Sequence, residues 1–144
     1  MCLYYNVEST RRFRREHRND KTVTCWKVVR RTSRGSIRSL FHRSYWRPGE
    51  KRSNRRGKTV KECFVHRGIH VYTSRWAAER VADKWENKVV LPVRCKMDDL
   101  VACGRRYSYI GGCRTREAVF MKVFVRKADY ERARKGKRPL KEKK

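Results

Sequence analysis

The sequence predicts a single small α+β domain: a mainly antiparallel sheet with one principal helix at about residues 74–85, flanked by a basic N-terminal arm and a basic C-terminal tail. Three observations carry this. The chain has 144 residues, the length of one domain. Its short β-branched and aromatic runs, punctuated by Gly and Pro, outnumber its helical patterns. Finally, 41 Lys and Arg against 14 Asp and Glu give a formal charge of +27, densest towards the two ends, while aromatic residues still make up 11%. A disordered polycation lacks that aromatic content, because such chains carry few groups able to bury apolar area. No apolar run approaches the roughly 18 residues of a membrane span, and no signal-like leader opens the sequence. The expected location is cytoplasmic, with no membrane partner.

The elements follow in order. Residues 1–7 are briefly apolar, and residues 8–21 (ESTRRFRREHRNDK) then offer no hydrophobic face beyond Phe13. Residues 1–21 therefore read as an arm, either a solvated helix or a segment that orders on binding. Residues 22–130 form the core. TVTCWKVVR at 22–30 is a strand, Gly35 marks a turn, and residues 36–46 alternate Ile37, Phe41 and Tyr45 on one parity as a second strand. Pro48-Gly49 turns the chain into a basic loop at 50–61, long enough to be functional or mobile. Strand pieces at 63–66 and 69–73 are split by Gly68. Thr73 or Ser74 caps the principal helix, whose buried stripe should be Ala77, Val81 and Trp85. KVVLPVRC at 88–95 is the most apolar strand, with Pro92 placing it on an edge or at a bulge. A short strand at 100–103, a Gly111-Gly112 turn and a final strand at 118–126 complete the sheet. Asp129 caps one helical turn, and residues 131–144 form a flexible basic tail.

The charge points to the partner. Solubility needs a net charge of only about 2–8 in a small domain, and a larger excess weakens the compact state unless a polyanion neutralises it. Nucleic acid is the natural one, since each phosphate contact releases a counterion. Three zones suit it. On a helix, Arg11, Arg14, Arg15 and Arg18 fall at i, i+3, i+4 and i+7 as one guanidinium face, with Arg12 beside them. In the final strand, alternation puts Phe120, Lys122, Phe124 and Arg126 on one side, a pattern in which rings stack on bases while cations hold phosphates. In the basic loop, Lys51, Arg52, Arg55, Arg56 and Lys58 sit beside Trp46 as an exposed ring bordered by charge, and the tail lysines add a sequence-independent tether.

Two resemblances add to this. TRRFRREHR at 10–18 resembles the arginine-rich RNA-binding motifs of lambdoid phage antiterminators, with Phe13 alone between the arginine pairs; the likeness implies hairpin-RNA binding. HRGIHVYTSRWAAERVA, then VVLPVRCKMDDLVACG and AVFMKVFV, are similar to an uncharacterised small domain of phages and large viruses. Gly68, Ile69, His70, Val71, Tyr72, Thr73 and Ala77 carry the first part of that pattern, and Asp99, Val101, Ala102 and Gly104 the last. This likeness, over about residues 63–125, implies a viral origin and a compact α+β fold, and it carries no activity with it. The reading that results is a viral or phage accessory protein binding nucleic acid, RNA rather than DNA, through phosphate contacts and base stacking.

Two other classes compete. A ribosomal or ribonucleoprotein component fits the charge, although four Trp and six Cys are heavy for one. A small nuclease or nucleotide-transfer enzyme would use His66 or His70, and a metal-free ribonuclease would want a His pair and a cation, such as His42, His70 and Lys61, but no catalytic signature surrounds them. Cys63, His66 and His70 read C-x2-H-x3-H, a ligand-like spacing short of the fourth donor zinc needs, and Cys63 has the opposite strand parity to both histidines. The six cysteines, with no C-x-x-C, read instead as reduced, small core residues, so no cofactor and no catalytic residue is expected.

Overall fold

A computed structural model describes residues 3–5, 7–40, 44–53, 60–61, 64–65, 68–107 and 114–141. In chain order these form β1 (Leu3–Tyr5), α1 (Val7–Glu16), β2 (Thr22–Arg31), β3 (Ile37–Arg38), β4 (Tyr45–Trp46), β5 (Gly49–Arg52), β6 (Val60–Lys61), β7 (Phe64–Val65), β8 (Ile69–Tyr72), α2 (Arg75–Asp83), β9 (Lys88–Lys96), β10 (Leu100–Tyr107), β11 (Arg114–Phe120), β12 (Lys122–Val125) and α3 (Lys127–Arg134). The fold is the α+β class the sequence predicts. The described strands join in one antiparallel sheet ordered β5-β12-β9-β2-β8-β11-β10-β1-β7-β6, with the β3–β4 hairpin attached to β2.

The spine is the ladder between β2 and β9, which runs from Thr22 opposite Lys96 to Arg30 opposite Lys88. Alternation sends Val23, Cys25 and Val29, with Leu91, Val93 and Cys95, into the main core. Val28 and Val90 point to the opposite face and meet Ala77, Ala78 and Ala82 of α2. The main core is closed by Phe13 of α1, Ala133 of α3, and Ile37 and Trp46 of the hairpin. So α2 covers one face of the sheet, while α1, α3 and the hairpin cover the other.

Several expectations change. Residues 36–46 are not one strand: Ile37 pairs with Trp46 and Arg38 with Tyr45, a hairpin that delivers both Ile37 and Trp46 to the core. Pro92 lies in an interior strand, opposite Trp26, because the register of β12 with β9 among the described residues is at Arg94, past the proline. In α2, Ser74 does cap the helix, its Oγ accepting from Ala77 N at 3.4 Å. The buried stripe, however, is Ala77, Ala78 and Ala82, with Val81 half-buried and Trp85 exposed. Small side chains let α2 lie close to the sheet. The strand at 100–103 continues to Tyr107.

The final strand breaks in two. Met121 donates its N–H to Asp99 O at 2.9 Å, and its carbonyl accepts from Ser53 N at 2.8 Å. That leaves one residue outside both ladders, so the alternation shifts and Phe120 joins Val123 and Val125 in the core.

Neither flank is separate from the domain. Residues 7–16, read as part of an arm, form a helix docked on β10, so the boundary at residue 21 does not divide arm from core. The described tail residues do not float either. α3 is eight residues long rather than one turn, and Asp129 lies in its first turn, buried, accepting from Arg126 Nε at 2.6 Å. Beyond it Gly136 lies beside the guanidinium of Arg31, the last residue of β2, and the following residues contact α2. Arg138 pairs with Asp83 at 3.3 Å, and Arg75 donates to Pro139 O and Leu140 O at 2.9 and 2.7 Å. Residues 142–144 and the Gly111-Gly112 turn lie outside the described residues.

Candidate nucleic-acid interface

α1 is held by polar contacts as much as by its one buried hydrophobic residue. Phe13 is 1% exposed, and the Thr10 hydroxyl both accepts from Cys103 N at 2.9 Å and donates to Cys103 O at 3.3 Å. Arg116 crosses over the Phe13 ring, 5.4 Å from its centroid, to grip both Glu16 oxygens at 2.9 and 3.3 Å. The Arg116 hydrogen bonds, helped by Arg12, hold the Glu16 carboxyl below its ordinary range. With Thr10 and Phe13 turned inward, the opposite side of the helix faces solvent. Arg11, Arg12, Arg14, Arg15 and Arg18 are all exposed. Three are engaged: Arg12 with Glu16 at 3.1 Å, Arg15 with Glu8 at 3.2 Å, and Arg14 with Leu100 O at 3.5 Å. Among the described residues Arg11 and Arg18 have no side-chain partner, and Arg18 sits in the turn after the helix ends at Glu16.

The second surface is the part of the α2-bearing sheet face that α2 does not cover. Strand register builds it row by row. Phe124 stands between Glu50 of β5 and Arg94 of β9, and Arg94 stands opposite Thr24 of β2. The next row holds Arg52 opposite Lys122, and Lys96 opposite Thr22. Phe124 is 49% exposed, which leaves a ring available for stacking amid four cations from three strands. Glu50 is the acid within the rows. It pairs with Arg52 at 2.7 Å and Lys122 at 3.5 Å, and these cations, Arg52 first, lower its pKa while it raises that of Arg52. Asp99 lies 4.0 Å from Lys122 at the margin. Arg126 is exposed but tied to Asp129.

α2 and the turn after it add two exposed rings with cations over them: Trp76 of α2 under Arg80 at 4.7 Å, and Trp85 between α2 and β9 under Lys88 at 4.4 Å. Such pairs keep a ring and a charge side by side, the combination a nucleotide meets with its base and its phosphate.

Two expected site residues are therefore corrected. Phe120 is fully buried by the shift at Met121 and cannot stack on a base. Trp46 is 1% exposed, its Nε1 donating to Ser39 Oγ at 2.8 Å, so it is a core residue and not a ring at the loop margin. Lys51 lies over that buried ring at 4.9 Å and donates to Tyr45 O at 2.9 Å; burial lowers its pKa. Arg55, Arg56 and Lys58 lie outside the described residues. What the sequence reading missed is Arg94 and Lys96. The parity of KVVLPVRCK already separates them from Leu91, Val93 and Cys95, but that Arg94 neighbours Phe124 is a fact of strand pairing.

The catalytic and metal alternatives gain no geometry. Cys63, His66 and His42 lie outside the described residues, and His70 is a half-buried residue of β8. His17 pairs with Asp20 at 2.9 Å in the turn after α1. Among the described residues no three His, Cys, Asp or Glu side chains gather to hold a metal. Cys25, Cys95 and Cys103 are buried free thiols. Burial pushes Cys103 up to about 12, and a hydrogen bond with Cys25 together with burial raises Cys95. Also among the described residues, no helix is long and apolar enough to cross a membrane. Compared with known proteins, the chain matches no family model, no curated protein and no solved structure.

Proposed function

We propose that this protein binds nucleic acid, with single-stranded RNA favoured, through the open sheet face around Phe124 and the arginine face of α1. The observation that carries the reading is Phe124: a half-exposed ring on an open sheet, with Arg94 opposite it and Arg52, Lys96 and Lys122 in the adjoining row. A buried aromatic would speak for packing and an isolated cation for solvation; a ring framed by cations suits a base and its phosphates together. The formal charge of +27 supplies the long-range attraction. The likeness of residues 63–125 to a phage and large-virus domain supports an accessory role in viral infection, in the host cytoplasm.

The test is a titration of matched RNA and DNA oligonucleotides across salt. Affinity should fall with salt at a slope of about −0.7 per phosphate contact. RNA should bind more tightly than DNA and be recovered intact. Indifference to both polymers at low ionic strength rejects the reading, equal affinity removes the RNA preference, and shortened RNA points to the nuclease instead.

A further inference from the structure

The two cationic surfaces stand on opposite sides of the sheet. Phe13 of α1 shares the main core with Cys25, Val93 and Val123. Thr24, Arg94 and Phe124, their immediate neighbours on the same three strands, point the other way. A helix is about 10–12 Å across with its side chains, so the arginine tips of α1 lie on the order of 10 Å or more beyond the sheet. A short strand laid over Phe124 has no direct path to Arg11 and Arg18. The surfaces also differ in chemistry. The Phe124 side offers rings and cations; α1 and the turn after it offer guanidinium groups, of which Arg11 and Arg18 have no side-chain partner among the described residues.

We infer that one molecule of this protein holds two nucleic-acid segments at once, one on each side of its sheet, and thereby bridges strands. The inference rests on the proposed nucleic-acid binding and goes beyond it. Neutralising one side leaves the other side's charge in place, so a bound strand does not remove the attraction for a second. Base stacking holds one segment and phosphate contact holds the other, so the second segment need not share the sequence or strandedness of the first.

The experiment uses the full chain. A biotin-tagged single-stranded RNA of about a dozen nucleotides is fixed to beads, protein is added below one molecule per strand, and capture of a second, non-complementary fluorescent RNA is measured. Three variants each remove two positive charges: R94S/K96S on the sheet face, R11Q/R18Q on α1 and the turn after it, and, as a control at exposed residues of neither surface, R34S/K127S. Circular dichroism and melting curves establish that each is folded. Wild type and the control variant should capture the second strand. The two face variants should each still bind one strand in solution but lose at least fivefold in capture. The inference is overturned if wild type binds the first strand without capturing the second, if the face variants capture as well as wild type, if the control variant loses as much as the face variants, or if capture rises with the square of protein concentration as a dimer would give. If wild type binds no RNA at all, the binding reading itself fails, and this inference with it.

Discussion

Phe120 and Phe124 lie four residues apart in one apolar run, yet one is wholly buried and the other half-exposed. Met121 decides this by leaving the ladder to bond Asp99 and Ser53. The two residues therefore respond differently to truncation. F120A should lose about 3–5 kcal/mol of stability by opening a cavity in the core. F124A should melt within about 0.5 kcal/mol of wild type, yet weaken single-stranded RNA binding by about 1–3 kcal/mol. Urea unfolding and an RNA titration on the same two preparations separate these outcomes; an F124A protein that unfolds easily but binds normally would make Phe124 a packing residue. Gly68 is the other position with no latitude. Its φ of +110° lies in the region that favours glycine, and an added Cβ would come 2.4 Å from Val119 Cγ1. G68A should cost about 1–3 kcal/mol, read from the shift in the urea midpoint at unchanged slope.

Among the elements, β2, β8 and β9 were legible from composition and alternation, and α2 from its helical spacing and capping serine. α1 was legible as a helix but not as a docked one. Beyond Val7 at its first position, its sequence shows a single hydrophobe, Phe13, and the groups that fasten it, Cys103 and Arg116, sit far along the chain. The break between β11 and β12 was hidden for the same reason: AVFMKVFV alternates without interruption, and only the tertiary bonds of Met121 reveal it. Of the candidate site, Lys122, Phe124 and the α1 arginines were legible from parity and spacing, whereas the neighbour relation of Arg94 to Phe124 required the pairing of distant strands. The fastening of α1 has a pH signature. Because folding lowers the Glu16 pKa, its contribution is fully present above the ordinary carboxylate range and is lost as pH falls through the lower folded value. E16Q should then be less stable than wild type at pH 7 by under about 1 kcal/mol, since the pair is partly exposed. The two melting temperatures should converge in acid. A constant gap across that range would mean that Glu16 contributes through packing.

At the scale of the molecule, a charge of +27 on 144 residues makes the folded state a self-repelling object. Sulfate or short RNA should raise the melting temperature, and RNA by more than its ionic strength explains, because a ligand bound to the folded state stabilises it by mass action. Differential scanning at matched ionic strength tests this, and no difference between RNA and a simple salt would contradict the proposed binding. The described tail residues strap onto α2 through Asp83 and Arg75, so part of the charge expected to trail free is instead spread over the domain. The arrangement of the tryptophans has a practical outcome. Trp46 is sealed in the core, while Trp76 and Trp85 are about half open to solvent beside the cations of α2 and β9. Red-shifted emission quenchable by iodide should come from the latter two, and a blue-shifted remainder from Trp46 and the half-buried Trp26, so the protein carries a built-in optical reporter that distinguishes occupancy of its outer surface from loss of its interior.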